Sequence, residues 1–525
     1  MTIENPSRVD QMTIPGDPQR TVSRGRGWLA LVSMSLVLVA IGLDLTVLNV
    51  ALPSLAVDLD ASSTDLQWFI NAYALVMATT LLPAGRIGDR VGPRKLILAA
   101  VVMFSIASAL CAFAPSSGWL IVGRAFLGAS AGVFMPLSMS MLTRMFEGAA
   151  RSRAISVWTA AVALGIPVGP LLGGWLLDHF WWGSVFLINV PLAAVAAVAL
   201  FVTLPAVQGS RNARIDSVGI VLASLMLLAL TFGFTRAGDE GWVEAWTLLP
   251  IAVGCAAAVV FGLWLRRTAH PLFSLRIFDT PQFLWGSVMA TVASLVMMTT
   301  IFIVPQFAQL AYDTDSFGLG LRLLPFIGGL IFAVPIAGVG IKQFGYKAVV
   351  ATGFLIMVAA NVMATTTTID SPQWFFVLWS ALAGGSVGLT LPNSMDLAMS
   401  VMNAEESGVG SGIVQSMRQL GGTLGVAVLG SVLVSTYRDR LDLTGLPQEV
   451  VDAVHSSPSL GTVVARSSHD QLPSLLDTVQ QSFLAGMGHS FWGLAGIASI
   501  AGVLAIWKVP TKPGSEVVEG SGGVF

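Results

Sequence analysis

Gly85-Arg86-Ile87-Gly88-Asp89-Arg90-Val91-Gly92-Pro93-Arg94-Lys95 decides how this chain is read. It is a short, basic turn punctuated by glycine, set between two long apolar runs, Leu66 to Ala84 and Leu96 to Ala114. A run of roughly 20 apolar residues is what a helix needs to cross a hydrocarbon core. A turn this tight therefore joins two neighbouring antiparallel membrane helices. Gly85 and Gly88 let those helices approach closely, and Gly92 permits a backbone conformation that other residues avoid. Asp89, near the start of the third span, can meet a helix N-terminus and the arginines Arg90 and Arg94. A charge cluster of this kind can lock one arrangement of a larger molecule. Topology alone also accounts for part of it, because basic residues collect on the inner side of membrane proteins in any case.

The composition of the whole chain agrees. Of 525 residues, 54% are hydrophobic and 11% charged, and the mean hydropathy is +0.78. Soluble domains carry roughly 25% charged residues, so most of this chain is expected to be dissolved in lipid. The net charge of −2 gives no bulk field toward nucleic acid. Cys111 and Cys255 both lie in apolar runs, and the 5 histidines are scattered. No structural disulfide, metal site or cofactor is expected. No Gly-x-x-x-x-Gly-Lys-Ser/Thr loop occurs, so no ATP-driven pump is indicated. No nucleophile motif marks an enzyme, and no large soluble domain marks a receptor. Residues 1–27 are polar, rich in proline, and end in Arg20, Arg24 and Arg26. They read as a disordered cytoplasmic tail ahead of a first span that serves as an uncleaved signal-anchor.

Fourteen candidate spans can be counted, an all-α membrane architecture. They are Trp28 to Leu52, Leu66 to Ala84, Leu96 to Ala114, Trp119 to Met145, Ala154 to Leu177, Val185 to Leu204, Val218 to Phe234, Trp246 to Leu265, Phe283 to Phe307, Leu319 to Ile341, Ala348 to Thr365, Trp374 to Met399, Val409 to Val434 and Phe483 to Trp507. With the N-terminus inside, the inner loops hold Arg86, Arg90, Arg94, Lys95, Arg144, Arg151, Arg153, Arg211, Arg214, Arg266, Arg267, Arg276, Lys342 and Lys347. The tails add Arg8, Arg20, Arg24, Arg26, Lys508 and Lys512, while the outer loops hold Arg236, Arg438, Arg440 and Arg466. That asymmetry sets the orientation and requires an even number of spans, with both termini inside.

The turn after span ten repeats the opening motif. Gly338…Ile341-Lys342-Gln343-Phe344-Gly345-Tyr346-Lys347 keeps the glycine separation of Gly85…Gly92 and the basic residue two places after the second glycine. Lys342 stands where the first turn has Asp89. The chain therefore reads as six-helix halves at 28–204 and 283–507, with two inserted helices at 215–265 and a second cytoplasmic tail at 508–525. Parallel repeats of this sort hold substrate between them near the bilayer midplane. The outer loop 435–482 is polar and reads as a partly ordered cap.

Three further motifs join the Gly85–Lys95 turn. They are Leu43-Asp44-Leu45-Thr46-Val47-Leu48-Asn49-Val50-Ala51-Leu52-Pro53, Val122-Gly123-Arg124-Ala125-Phe126-Leu127-Gly128, and Gly165-Ile166-Pro167-Val168-Gly169-Pro170-Leu171-Leu172-Gly173-Gly174. With Leu66-Gln67-Trp68 and Asn71-Ala72-Tyr73, the chain resembles the major facilitator superfamily, and within it the fourteen-span drug/proton antiporters of the multidrug exporter type. The resemblance implies a gating role for Asp89, Arg90 and Arg94, a proton-relay or cavity role for Arg124, and an antiporter motif at Gly165–Gly174. After span five the family often has an arginine between two aromatic residues, whereas here Trp182 is followed by Gly183 and Ser184.

Asp44 lies mid-span, where an ionised carboxylate must pair, face a cavity or take a proton. Such a group meets the requirement for proton coupling, though it can instead be structural, bonding Thr46 or Asn49. Asp396, near the inner end of span twelve, is a second proton-coupling candidate, with solvation at that end as its alternative. Arg124 needs a carboxylate, water or carbonyl partner at its depth, and Asp44 is one option. Arg322 can reach water, and Arg418 lies mid-span beside Gln415 and Gln419. Gly165, Gly169 and Gly173 recur four apart on one helix face, which permits tight helix contact, and Pro170 removes a backbone donor and bends the helix. Such a helix at the interface of the halves can seal one side of the molecule. Substrate contacts are expected from Asp44, Asn49, Trp68, Asn71 and Tyr73. The resulting expectation is a monomeric, proton-coupled antiporter in a bacterial inner membrane. It exports amphipathic, often cationic, drugs or toxic compounds by alternating access. A dedicated exporter of one natural product or lipid is the alternative.

Overall fold

The computed structural model describes residues 11–14, 17–207, 216–312, 316–403, 406–443, 446–456, 458–467 and 473–512. Arg8, Arg211, Arg214 and most of the second tail lie outside them. Helices follow one another as α1 (Arg24–Asp58), α2 (Ser63–Val91), α3 (Pro93–Ala112), α4 (Ser117–Met145), α5 (Gly148–His179), the short α6 (Ser184–Leu187), α7 (Asn189–Thr203), α8 (Ser217–Glu240), α9 (Ala245–Arg267), α10 (Pro281–Tyr312), α11 (Ser316–Thr365), α12 (Gln373–Met399), α13 (Ser407–Arg440), α14 (Gln448–Ser456), α15 (Pro458–Ser467) and α16 (Pro473–Lys508). Helices dominate because in hydrocarbon every backbone N–H must be satisfied within its own segment. One departure from the expected disordered tail stands at the N-terminal end, where Gln11–Ile14 pairs antiparallel with Asp17–Ser23.

Local chemistry sets the helix ends. Ser62 and Asp65 form a reciprocal capping box at the start of α2, which satisfies two otherwise orphaned donors. Pro93 takes the first position of α3, where a missing N–H costs nothing. Among the described residues, 13 helices are long and apolar enough to cross a membrane. The longest such stretch, Leu321–Thr365, has 45 residues, enough for two crossings. It breaks at Gly345, where φ is +79°. Gly92, its counterpart in the repeat, has φ of +105°. Both turns thus use glycine where an L side chain would be strained, which is the physical content of the repeat.

Helices α1 to α7 pack mainly on one another, as do α10 to α13 with α16; α8 and α9 form a hairpin against α2 and α13. We call these groups the first bundle, the second bundle and the insert. The insert is tied down by Asp216, which is buried. Its carboxylate accepts from Gly219 N at 2.8 Å, Trp264 Nε1 at 3.0 Å and Leu272 N at 3.0 Å. Asp216→Ala leaves these donors unpaired. It is expected to lower stability by about 2 kcal/mol, seen as a lower apparent melting temperature in detergent.

The 435–482 segment carries the two short helices α14 and α15. Tyr437 donates to Val454 O at 3.1 Å and Arg438 to His455 O at 2.9 Å. Arg466 donates to Leu310 O at 3.0 Å. These bonds dock the segment on the ends of α13 and α10.

Candidate functional site

Asp44 sits just past the midpoint of α1 and is fully buried. Its Oδ2 accepts from Arg124 Nη1 of α4 at 2.5 Å, and Arg124 Nε donates to Phe69 O of α2 at 2.7 Å. The guanidinium lies 4.5 Å from the centre of the Tyr73 ring. Asp44 Oδ1 and Tyr73 Oη have no hydrogen-bond partner among the described residues. Three helices thus converge on one ion pair that retains an unused acceptor. The arginine partner is Asp44, the option open from the sequence, and Thr46 does not hold the carboxylate.

Thr46 has a different task. Its Oγ1 donates to Ile166 O at 2.8 Å. Pro170, four residues beyond Ile166, has no N–H, so the usual intrahelical partner of that carbonyl is missing. The Thr46 hydroxyl replaces it from α1. Gly165, Gly169 and Gly173 face the same helix: a Cβ on them would strike the backbone at Val39 and Leu43, the Thr46 hydroxyl and the Val47 side chain respectively. The small-residue face expected between the halves therefore packs α5 onto α1 inside the first bundle. Thr46→Val keeps the shape and orphans the carbonyl, at a cost of about 1–3 kcal/mol. The apparent melting temperature is expected to fall in Thr46→Val and to recover in Thr46→Ser.

The second polar region is a seam between the bundles, at the end that carries the Gly85–Lys95 turn. Asp89 is buried there. Its Oδ1 accepts from Arg144 Nη2 at 2.8 Å and from Gly408 N at 3.2 Å; its Oδ2 accepts from Val409 N at 3.0 Å. The carboxylate therefore caps α13 of the opposite bundle, where free N–H groups and the helix dipole favour an anion. The expected helix start was that of α3 and the expected arginines were Arg90 and Arg94; neither is used. Asp89 points across the seam because Gly85 and Gly408 back onto each other, with no room for a Cβ on either. Gly88 receives the Leu137 side chain. Arg144 Nε donates to Ser407 Oγ at 3.0 Å, and Ser411 Oγ to Pro136 O at 2.7 Å.

Asp396 lies in the same seam, far from Asp44. Its Oδ1 accepts from Arg151 Nε of α5 at 2.7 Å and its Oδ2 from the Tyr346 hydroxyl at 2.5 Å. Solvation is not its state: the carboxylate is fully buried. Arg151, Arg144, Ser407 and Tyr346 carry this seam, although the sequence presents the arginines only as inner-loop charges. The signal available was Tyr346, directly after the repeated glycine. Arg94 instead donates to Phe201 O at 2.6 Å, holding α3 to the end of α7. Arg90 is exposed.

Of the expected substrate residues, Asp44 and Tyr73 meet at Arg124. Tyr73 stands behind Arg124, Asn49 is exposed and Asn71 half-buried. Trp68 stacks on Phe232 at 6.4 Å. It lines an apolar cleft of about 590 Å³ formed by α2, α4, α8 and α9.

Comparison with known proteins fits this geometry. Residues 34–426 match the model of the Major Facilitator Superfamily; the chain belongs to that superfamily of membrane transporters. It is 30% identical over 510 residues to the tetracenomycin C resistance and export protein of Streptomyces glaucescens, covering 94% of each chain. It is 31% identical over 490 residues to the methyl viologen resistance protein SmvA of Salmonella typhimurium, covering 92% of this chain and 96% of that one. Among solved structures, the proton:xylose symporter XylE bound to 6-bromo-6-deoxy-D-glucose superposes with a TM-score of 0.59 at 13% identity, covering 93% of this chain and 96% of that one. That likeness concerns the fold.

Proposed function

We propose that this chain is a proton-coupled antiporter that exports amphipathic organic compounds across the cytoplasmic membrane by alternating access. The observation that carries the reading is the Asp44–Arg124 pair, buried in the first bundle two residues from the Thr46 link to α5. An ion pair in a dry interior is held by mutual neutralisation. A proton arriving at Asp44 removes the negative charge, and Arg124 is left with the Phe69 carbonyl and the Tyr73 ring. The stabilising term changes by several kcal/mol, enough to shift a two-state equilibrium. Because α1 and α5 share the Thr46–Ile166 bond, and α5 packs on α11 and α12, this change reaches the boundary between the bundles. The Asp89 and Asp396 seam is then the inner gate, closed in this structure.

Fourteen crossings follow when the two sides of Gly345 are counted separately, with both termini inside and the protein acting as a monomer. Export of drugs is supported by the relatives named for resistance to tetracenomycin C and methyl viologen. A narrower reading, export of a single natural product, is favoured by the first of these, which is named for one compound. Proteoliposomes with an imposed pH gradient test the proposal. Dye movement that stops when an uncoupler collapses the gradient is expected. Movement that survives the uncoupler contradicts proton coupling.

A further inference from the structure

Three buried carboxylates in the membrane region are each matched to an arginine: Asp44 to Arg124, Asp89 to Arg144 and Asp396 to Arg151. Arg418 of α13 is not matched. It is 6% exposed, and no carboxylate among the described residues forms an ion pair with it. Its Nη1 donates to Gln415 Oε1 at 2.6 Å, and its guanidinium lies 6.0 Å from the centre of the Trp158 ring of α5. Its Nε and the Gln415 Nε2 have no hydrogen-bond partner among the described residues. Trp158 is itself fixed by a 2.9 Å bond from Nε1 to Ser138 Oγ of α4. The cluster therefore has donors to spare, no acceptor for them, and a net positive charge.

Its depth is equally specific. Arg418 stands roughly 16 Å along α13 from Ser407, and Trp158 roughly 15 Å along α5 from Gly148, at ~1.5 Å per residue. Both distances place the cluster near the middle of a hydrocarbon core about 30 Å thick, between the two bundles. Lipid phosphates lie at the interface and do not reach it. A lone buried guanidinium is costly, and one neutral amide with a ring face does not replace its hydration. An intramembrane charge without an internal counter-ion marks a substrate or ion path.

We propose that Arg418, with Gln415, forms the subsite for an acidic group on the exported compound, and that the cargo carries a carboxylate, phenolate or enolate. An acidic oxygen of the cargo accepts from Arg418 Nε and Gln415 Nε2, the two donors left without a partner among the described residues. The cationic cargo expected from the sequence would meet a like charge at this point and, in the first bundle, a carboxylate already neutralised by Arg124. The inference rests on the export reading above and names its substrate class.

A matched pair of probes isolates the charge: 1-pyrenebutyrate and 1-pyrenemethylammonium share a ring and differ in sign. Their binding to the full chain in nanodiscs, and their gradient-driven movement in proteoliposomes, are measured side by side. The wild type is expected to favour the carboxylate by about tenfold or more, the scale of one charge-assisted hydrogen bond. Arg418→Gln is expected to abolish that preference, and Arg418→Lys to keep part of it. Arg418→Met removes a buried unpaired charge, so the apparent melting temperature is expected to hold or rise; a purely structural arginine would lower it. The inference is overturned if the wild type shows no preference for the carboxylate, or if Arg418→Gln leaves the ratio of the two probes unchanged. It is also overturned if Arg418→Met melts earlier than wild type while the probe ratio is unaltered. If gradient-driven transport of either probe persists in those cases, export itself stands; if neither probe moves under any gradient, the export reading fails first.

Discussion

Replacing Asp44 by asparagine is expected to reduce gradient-driven efflux to the level of protein-free liposomes while leaving a folded, monodisperse protein. The lost charge accounts for both transport and stability effects. An amide at this position cannot take or release a proton, so the driving gradient has no point of entry in the first bundle. The substitution also leaves Arg124 with the Phe69 carbonyl and the Tyr73 ring as its contacts. Breaking one side of a buried pair costs about 3–5 kcal/mol. Asp44→Asn should therefore also melt earlier than the wild type. Adding Arg124→Gln removes the second charge and should restore much of the lost stability without restoring efflux. The double variant separates coupling from folding: recovery of transport there would show that Asp44 serves only to neutralise Arg124.

The second large effect belongs to the seam. Asp89→Ala deletes the Arg144 ion pair and both N–H bonds to the start of α13. A loss of about 3 kcal/mol on one side of a two-state equilibrium shifts it roughly a hundredfold. Spin labels at Lys95 and Glu406, exposed positions flanking the seam, report the separation of the bundles once Cys111 and Cys255 are replaced by serine. Longer distances are expected in Asp89→Ala, and longer still when Asp396→Asn removes the Arg151 partner as well. Distance distributions unchanged from the wild type would mean that the seam does not hold the two bundles together.

The sequence disclosed the spans, the repeat and the ion-paired acid because each is a local signal. A carboxylate within an apolar run, or a glycine kept at the same place in two turns, stands out without its neighbours. Gly92 and Gly345 even share a positive φ. Partners across the bundles were not visible. Asp89 and Val409 are 320 residues apart, and Arg151 and Asp396 are 245 apart. Nothing in either arginine distinguishes a gate from an ordinary inner-loop charge. Helix faces were hidden for a related reason: in runs that are apolar all round, periodicity does not say which side meets lipid. Trp68 thus sits on an apolar cleft beside Phe232, while Trp158 faces Arg418 near the middle of the membrane region between the bundles. The Gly165–Gly173 face was readable as a packing surface, but its partner was not.

Substrate-induced proton release measures the central claim most directly. Purified protein in a weakly buffered detergent solution is given a transported dye, and the pH change is recorded. The wild type is expected to release protons on binding, and Asp44→Asn to release none while still binding the dye. Equal release from both proteins would contradict the assignment of proton coupling to the Asp44–Arg124 pair.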